Sequence, residues 1–282
     1  MDKFVNIWYN HGYLVAKLMR LCTLEVKSAL IKKKIKQTIK NMCLMRYTDK
    51  FIYSSIRMFV HKKMISNMKP KYNESYSNLR LLERAENRLS DLVKLLGTNI
   101  PTSVLDIGCA EGSIISAIAK QYNISSKQVF GVDVLDYDIG SGYTFLKTFA
   151  NEPLPFRNNS ISLITSFMCL HHVDDQELMI SECYRILEPG GFIVIREHDV
   201  NNEGVRDLID IMHGLYSLVW SNPPENPNFV YDVLPKYHSL KNWTHLFEKN
   251  NFQLVTHWEL NNISNSFYSV YQKPLDSNWT II

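Results

Sequence analysis

The sequence predicts an α/β fold in which a doubly wound, mainly parallel sheet is covered by helices on both faces. Short apolar segments alternate with helical patterns from Ser103 onward, and 45% of the 282 residues are hydrophobic. Buried parallel strands are typically continuous apolar runs, and helical connections bring such strands side by side. We therefore expect one main domain, residues 71–282, preceded by an N-terminal extension.

The extension, residues 1–70, is strongly basic. It carries 15 Lys and Arg against 3 Asp and Glu, or about +12, whereas residues 71–282 carry 16 against 25, or about −9. Within residues 4–68 we expect two or three amphipathic helices, because Ile31, Ile35 and Ile39 recur at four-residue spacing among lysines. The two parts of the chain therefore have different electrostatic roles.

The main domain is expected to begin with a helix over residues 76–96, which stops at Gly97. The elements expected after it are a strand over 103–109, a helix over 113–121, strands over 128–134 and 161–167, a helix over 176–187, a strand over 191–197, a helix over 203–220, a proline-rich loop over 221–235, a helix over 240–249, and strands over 252–260 and 266–272. Alternation of this kind is typical of a parallel sheet with crossover helices.

Several classes of protein are disfavoured by composition. No apolar run approaches the roughly 18–20 residues that cross a bilayer, and the first residues lack the apolar core of a signal peptide. The five cysteines are odd in number and never in CxxC spacing, so reduced thiols are expected. No Cys and His spacing indicates a metal site. We expect a cytoplasmic protein without a metal or a transmembrane segment.

A turn between a buried strand and a helix carries Asp106, Gly108 and Gly112. Glycines there allow the backbone to approach a ligand closely, and the amino end of a helix favours an anionic group. Asp133 ends the next expected strand, where a carboxylate can accept hydrogen bonds from both ribose hydroxyls of an adenosine. This pair of features indicates a nucleoside-containing cofactor.

Four segments, DIGCAEG, GVDV, NEPLPFRNNSISLITS and LEPGGFIVIRE, follow one another in the order of the class I S-adenosylmethionine (SAM)-dependent methyltransferases. The chain resembles that family, with a core of the methyltransferase type 11 kind. The resemblance implies a seven-stranded Rossmann-like methyltransferase sheet and SAM as cofactor. The cofactor-binding residues that it implies are Asp106, Gly108, Cys109, Gly112, Asp133, Val134, Asn151 and Ser166.

The chain departs from the family pattern before the Leu-Pro-Phe run. Many members have an acidic residue there, whereas this chain has Phe149-Ala150-Asn151-Glu152. The resemblance therefore assigns the adenine amino contact to Asn151 or to a main-chain carbonyl. Two alternatives stay open, an NAD-binding protein and an inactive scaffold, although the turn lacks the Gly-x-Gly-x-x-Gly pattern that seats a pyrophosphate.

Candidate catalytic residues follow the fourth and fifth expected strands, at the carboxyl edge where open α/β sheets hold ligands. His171 lies just after the fourth strand, and Glu197 and His198 fall in the polar run from Arg196 to Asp199. We interpret that run as a substrate-recognition patch, in which Glu197 accepts from a base edge or an amine and His198 assists. A packing role for His171 or a solvated turn at Arg196 to Asp199 is the alternative.

The basic extension favours RNA as the acceptor, possibly the guanine N7 of an mRNA cap. Its positive charges are interleaved with aromatic residues, which suits phosphate contacts and base stacking. A small-molecule methyltransferase of the quinone-biosynthesis type is the alternative, because SFMCLHHV and LEPGGFIVI resemble those enzymes. A third hypothesis is an inactive methyltransferase-fold partner. The extension could also dock on a protein, cover a small-molecule site or bind an anionic membrane.

Overall fold

The computed structural model describes residues 74–136, 142–149, 152–201, 205–206, 209, 235–260 and 265–275. These ranges include the α-helices α1 (Glu74–Leu96), α2 (Ser113–Gln121), α3 (Gln176–Ile186) and α4 (Leu240–Lys249). The strands are β1 (Val104–Ile107), β2 (Val129–Asp133), β3 (Thr144–Lys147), β4 (Ile161–Phe167), β5 (Leu187–His198), β6 (Gln253–Glu259) and β7 (Ser266–Gln272). Short 3-10 turns lie at Ser126–Gln128 and Leu170–His172.

Seven strands of this described part form one sheet in the order β3-β2-β1-β4-β5-β7-β6. The first five strands in that order are parallel to their neighbours, whereas β7 runs antiparallel to both β5 and β6. The order reverses between β1 and β4, so the carboxyl ends of these two strands flank a crevice of the kind that binds ligands. The predicted seven-stranded Rossmann-like sheet is confirmed.

Helices cover both faces of the sheet, and each face has its own apolar core. On one face, Ile118 of α2 and Leu92 of α1 pack against β-strand residues such as Val194. On the other face, Ile180 of α3 and Phe247 of α4 pack in a cluster that includes the central strands. Successive residues of the central strands β1, β4 and β5 face the two cores in turn, which explains why these strand segments are largely apolar.

The helices begin and end at residues suited to those positions. Asp175 accepts a hydrogen bond from Leu178 N at the start of α3, and Ser239 does the same for Asn242 N at the start of α4. Gly97 follows α1 with a φ of 56°, a conformation that glycine adopts without steric cost.

Lys273 anchors the carboxyl end of α3 to the end of the sheet. Its ammonium group is buried and donates to the carbonyl oxygens of Tyr184 and Leu187, both at 2.8 Å, and to Asn159 Oδ1 at 2.7 Å. A cation is favourable there because the last carbonyl groups of a helix carry partial negative charge.

The connection from β2 to β3 is unusually short. Ten residues separate Asp133 from Thr144, fewer than the dozen or more that a crossover between parallel strands ordinarily needs. The expected elements contained no strand at β3, because Thr144 and Lys147 are exposed and the segment has no clear apolar pattern. Tyr143, at the end of this connection, is buried and packs in the core beneath α1 and α2.

The chain divides into two units, residues 1–72 with 200–234, and residues 73–199 with 235–282. All the helices and strands named above belong to the second unit. The predicted basic helices of residues 4–68 and the proline-rich loop lie outside the described residues, as does most of the helix expected over 203–220. Among the described residues, no helix has the length and apolar character required to cross a membrane.

Candidate functional site

The turn between β1 and α2 is held in a tight conformation by β2. Gly108, Ala110 and Gly112 have φ values of 74°, 48° and 77°. Gly108 N and Cys109 N donate to Val132 O at 2.9 and 3.1 Å. The positive φ values explain the glycines at two of these positions, since other residues adopt this conformation at a steric cost.

Side chains from elsewhere in the chain approach both glycines closely. A Cβ atom placed on Gly108 would lie 2.4 Å from Cys169 Sγ, and one placed on Gly112 would lie 2.2 Å from the hydroxyl oxygen of Tyr143. The sequence pattern predicts that these glycines allow a ligand to approach the backbone closely. The structure shows that Cys169 and Tyr143 already require glycine at these positions.

Asp106 lies at the centre of the sheet, just before this turn. Its side chain is 3% exposed, and its Oδ1 atom accepts a hydrogen bond from Thr165 Oγ1 at 2.7 Å. Burial raises the pKa of Asp106 to about 7, although the Thr165 hydrogen bond and nearby Arg84 oppose the shift. The carboxyl group is therefore poised to change its charge near neutral pH.

Asp133 ends β2 and is oriented by main-chain amides. Its Oδ2 atom accepts from Ala110 N at 3.0 Å, and its Oδ1 atom accepts from Leu135 N at 3.1 Å. The next two side chains, Val134 and Leu135, are 56% and 58% exposed. A fixed carboxylate beside exposed apolar side chains is suited to the ribose and the base of an adenosine.

The segment after β4 turns sharply back toward the glycine turn. Met168 has a φ of 62°, an unusual value for a residue with a side chain, and its N–H donates to Arg196 O at 2.7 Å. The next residue, Cys169, places its sulfur atom against Gly108. The strained backbone therefore brings the carboxyl ends of β4, β5 and β1 into contact.

The candidate catalytic residues meet at this edge. His171 Nδ1 lies 2.5 Å from Glu197 Oε2, a short hydrogen bond between side chains that are 1% and 0% exposed. The ring centroids of His198 and Tyr237 lie 5.4 and 5.5 Å from the ring centroid of His171. The structure thus brings His171, Glu197 and His198 together, with Tyr237 as a fourth member that the catalytic assignment did not include.

A polar network behind His171 fixes the turn that carries it. The side chain of Gln176 donates to Leu170 O at 3.0 Å and to Lys236 O at 2.7 Å, and its Oε1 atom lies 2.7 Å from His238 Nε2. Lys236 N donates in turn to His171 O at 2.7 Å. The sequence carried no signal for this network, because its members are about 60 residues apart.

The four residues of the polar run from Arg196 to Asp199 do not all face the candidate site. Arg196 donates to Ser266 Oγ at 2.9 Å, and burial lowers its pKa to about 10. Asp199 accepts from Leu240 N at 2.8 Å, at the start of α4. Arg196 and Asp199 therefore hold β7 and α4 in place, and Glu197 and His198 are the members of the run that lie beside His171.

The remaining expected cofactor residue that the structure describes, Ser166, and the free cysteines are largely buried. Ser166 is fully buried in β4. Cys109 and Cys183 are buried free thiols and Cys169 is a partly buried one; burial raises the pKa of all three, as expected for reduced thiols. Asn151, Cys22 and Cys43 lie outside the described residues.

Two further features of the described residues help to locate the site. No group of His, Cys, Asp and Glu side chains within the described ranges is arranged to hold a metal ion. A shallow pocket lined by Asn99, Ser162 and Gly191 lies at the amino ends of the strands. The polar cluster and the glycine turn lie at the opposite, carboxyl edge, so this pocket is separate from the candidate site.

The sheet order and this edge are those of a class I Rossmann-like methyltransferase fold. Residues 81–257 match a family model described as a methyltransferase domain, and the chain belongs to that family. S-adenosylmethionine is the cofactor that membership of this family implies. The match spans the sheet from α1 to β6, so it includes the glycine turn and the His171 cluster.

Curated relatives are similar over part of their length. Norajmaline N-methyltransferase of Rauvolfia serpentina is 29% identical over 113 residues, which are 36% of this chain and 38% of that protein. Demethylmenaquinone methyltransferase of Tropheryma whipplei is 26% identical over 143 residues, 48% of this chain and 58% of that protein. The chain thus covers less than two thirds of either relative.

Solved structures of methyltransferases are also similar. A possible histamine N-methyltransferase from Thermotoga maritima is 20% identical with a TM-score of 0.47, over 71% of this chain and 95% of that one.

Proposed function

We propose that the chain transfers a methyl group to an oxygen or nitrogen atom that must lose a proton, and that His171 accepts this proton. The supporting observation is the buried contact between His171 Nδ1 and Glu197 Oε2 at the carboxyl edge of the sheet. With Nδ1–H donating to the carboxylate, Nε2 is the basic nitrogen and the ring orientation is fixed. Glu197 is thus a positioning residue for His171.

SAM, when bound, supplies an electrophilic methyl group on a sulfonium centre. The residues that would hold it are suited to its parts. Asp133 would accept from the ribose hydroxyls, Val134 and Leu135 would contact the adenine ring, and the turn from Gly108 to Gly112 would face the methionine portion. The chain's own contribution is to align the acceptor and to remove its proton.

RNA is the acceptor that we propose. The support is the separation of charge along the chain, about +12 over residues 1–70 and about −9 over the remainder. A basic segment rich in aromatic residues suits the phosphates and bases of a single strand. A cap guanine is one possible acceptor, but its N7 atom carries no proton, so methylation there would not use His171 as a base. A protein partner docking on the same segment is the alternative use of its charge.

A small-molecule acceptor is the second candidate. It is favoured by the relatives that match this chain, which are named for N-methylation of norajmaline and for methylation of demethylmenaquinone. An acceptor of this kind needs no basic segment. The dependence of activity on the lysines of residues 32–36 therefore distinguishes the two candidates.

The test uses the full chain with tritiated SAM and four acceptors, namely capped RNA, uncapped RNA, a secondary amine and a naphthoquinol. We expect label in RNA, at a rate that falls steeply with added salt. Replacement of Lys32, Lys33, Lys34 and Lys36 by glutamine should lower the RNA reaction at least about tenfold at 0.15 M salt. Label confined to the amine or the quinol would overturn the RNA assignment, and no label in any acceptor would favour an inactive partner.

The proposed base is tested in the same assay. His171→Asn should lower kcat by at least about a hundredfold, and Glu197→Gln should lower it less, while both variants bind SAM with unchanged affinity. His257→Asn, on the exposed strand β6, is the matched control. A loss of SAM affinity equal to the loss of kcat would assign the pair a structural role instead.

A further inference from the structure

The guanidinium group of Arg84 reaches from α1 to the turn between β1 and α2. Its Nη2 atom lies 3.0 Å from Glu111 Oε1, within the turn that follows Gly108. Arg84 also lies near enough to Asp106 to oppose the rise in the pKa of that carboxyl group. Arg84 therefore places a positive charge beside the part of the site that would face the methionine portion of the cofactor.

Glu111 receives two donors at one carboxylate oxygen. Ser113 Oγ donates to the same Oε1 atom at 2.9 Å, next to Gly112, the N-cap residue of α2. The amino end of a helix favours an anion, and Gly112 has no side chain with which to cap α2. The Glu111 carboxylate thus lies where an arginine, a serine and a helix end all favour a carboxylate.

Tyr143 places a hydroxyl group beside the same turn. Its side chain is 8% exposed, and its hydroxyl oxygen is buried against Gly112. Among the described residues, this hydroxyl has no hydrogen-bond partner, and neither does the buried Nε atom of Arg84. Buried polar groups are nearly always hydrogen-bonded, so two unsatisfied donors beside one turn indicate a ligand that satisfies them.

We propose that Arg84 and Tyr143 bind the α-carboxylate of the methionine portion of SAM, and that Glu111 is an internal carboxylate that occupies Arg84 until the cofactor arrives. The inference rests on the cofactor assignment and deepens it. A free α-carboxylate is the one anionic group of SAM, and a guanidinium group is well suited to bind it. Glu111 therefore competes with the cofactor for Arg84.

The competition gives opposite effects for two variants. Arg84→Met should weaken SAM binding at least about tenfold, because a charge-assisted hydrogen bond is lost. Glu111→Gln should strengthen it severalfold, because the arginine is no longer paired in the free protein. Tyr143→Phe should weaken binding by a smaller factor, since it removes a single neutral donor.

The experiment is calorimetric titration of the full chain with SAM and with decarboxylated SAM, which lacks only the carboxylate. We expect Arg84→Met and Glu111→Gln to change the affinity for SAM and to leave that for decarboxylated SAM within about twofold. Arg88→Met, one turn further along α1, is the matched control. Arg84→Lys, which keeps the charge and loses the planar fork, should fall between wild type and Arg84→Met.

Two results would overturn the proposal. Equal changes for both ligands would mean that Arg84 only supports the turn, and weaker SAM binding in Glu111→Gln would mean that Glu111 itself holds the cofactor. The titration contains no acceptor, so failure of methyl transfer to RNA or to small molecules is detected separately.

Discussion

The hydroxyl group of Thr165 donates to the buried carboxyl group of Asp106 at 2.7 Å, joining β4 to the end of β1. Burial raises the pKa of Asp106 from 3.8 to about 7. Because the folded state holds the proton more tightly than the unfolded state, the stabilisation from protonated Asp106 is full below about pH 4 and is lost as the pH rises through about 7.

We predict that Asp106→Asn removes this dependence, because an asparagine oxygen can still accept from Thr165 and has no charge to bury. The free energy of unfolding of the wild type relative to the variant should fall by a few kcal/mol between about pH 4 and pH 8. Urea titrations of both proteins across this range measure the difference, and the other titrating groups cancel in it. A difference that stays constant with pH would contradict the pKa assigned to Asp106.

Because Gly112 lies against the ring of Tyr143, the cost of replacing Gly112 by alanine should depend on whether that ring is present. Gly112→Ala should destabilise the fold by about 2–4 kcal/mol, since it combines an unfavourable φ with a clash against the tyrosine ring. The matched control is Gly97→Ala, where φ is also positive but no atom lies within 4 Å, and it should cost only about 1 kcal/mol.

A double-mutant cycle with Tyr143→Ala separates the two contributions in chemical denaturation. In the Tyr143→Ala background, the cost of Gly112→Ala should drop to that of the control, because the ring is absent. An undiminished cost in that background would show that the clash is relieved by another movement.

Glu182 and Arg185 of α3 hold the loop after β3 by its backbone. Leu154 N donates to Glu182 Oε2 at 2.9 Å, and Arg185 donates to Leu154 O at 3.0 Å and Phe156 O at 2.8 Å. Arg185 also donates hydrogen bonds to the Glu182 carboxylate itself. These bonds lower the pKa of Glu182, so its carboxylate stays ionised at neutral pH. This loop leads from the adenosine side of the candidate site to β4.

We predict that Arg185→Met weakens SAM binding about three- to tenfold and leaves kcat at saturating SAM nearly unchanged, since only the loop that borders the cofactor is released. Lys249→Met is the control, because Lys249 also pairs with an α3 carboxylate, Glu177, but on an exposed surface. Steady-state kinetics over a range of SAM concentrations give both quantities. A fall in kcat with unchanged KM for SAM would assign the pair to the acceptor side instead.

The buried ammonium group of Lys273 should contribute more to stability than an exposed ion pair does. We predict that Lys273→Met destabilises the fold by about 2–3 kcal/mol, because the buried carbonyl oxygen of Leu187 and two partly buried hydrogen bonds, to Tyr184 O and Asn159 Oδ1, lose their donor. Lys147→Met, which breaks an exposed pair with Asp136, should change stability by less than about 0.5 kcal/mol. Thermal unfolding of the two variants compares them directly, and similar costs for both would contradict the role assigned to Lys273.

The elements that sequence predicted best are those with clear ends. Helix α4 runs from Leu240 to Lys249 as expected, because Ser239 caps it, and strand β4 is bounded by polar and turn residues. Strand β3 was not among the expected elements, since its four residues are partly exposed and owe their conformation to pairing with β2. Short strands of this kind depend on tertiary contacts more than on their own sequence.

The sequence predicted several residues of the candidate site, but it did not predict which of them contact one another. The sequence placed His171 and Glu197 at the ends of two strands, but their pairing depends on β4 and β5 lying side by side in a particular register. Arg84 and Tyr143 gave no local signal, because their importance comes from reaching one turn from distant parts of the chain. The reach of a long side chain is set by packing, which a linear pattern does not contain.

The sulfur atom of Cys169 lies directly against Gly108, so the turn before His171 and the turn after β1 share one boundary. In an interior packed this closely, neither turn can shift without displacing the other. We therefore expect occupancy of the proposed acceptor side to be energetically linked to occupancy of the cofactor side, and such linkage is reciprocal. Whatever factor an acceptor contributes to the affinity for SAM, SAM must contribute the same factor to the affinity for that acceptor.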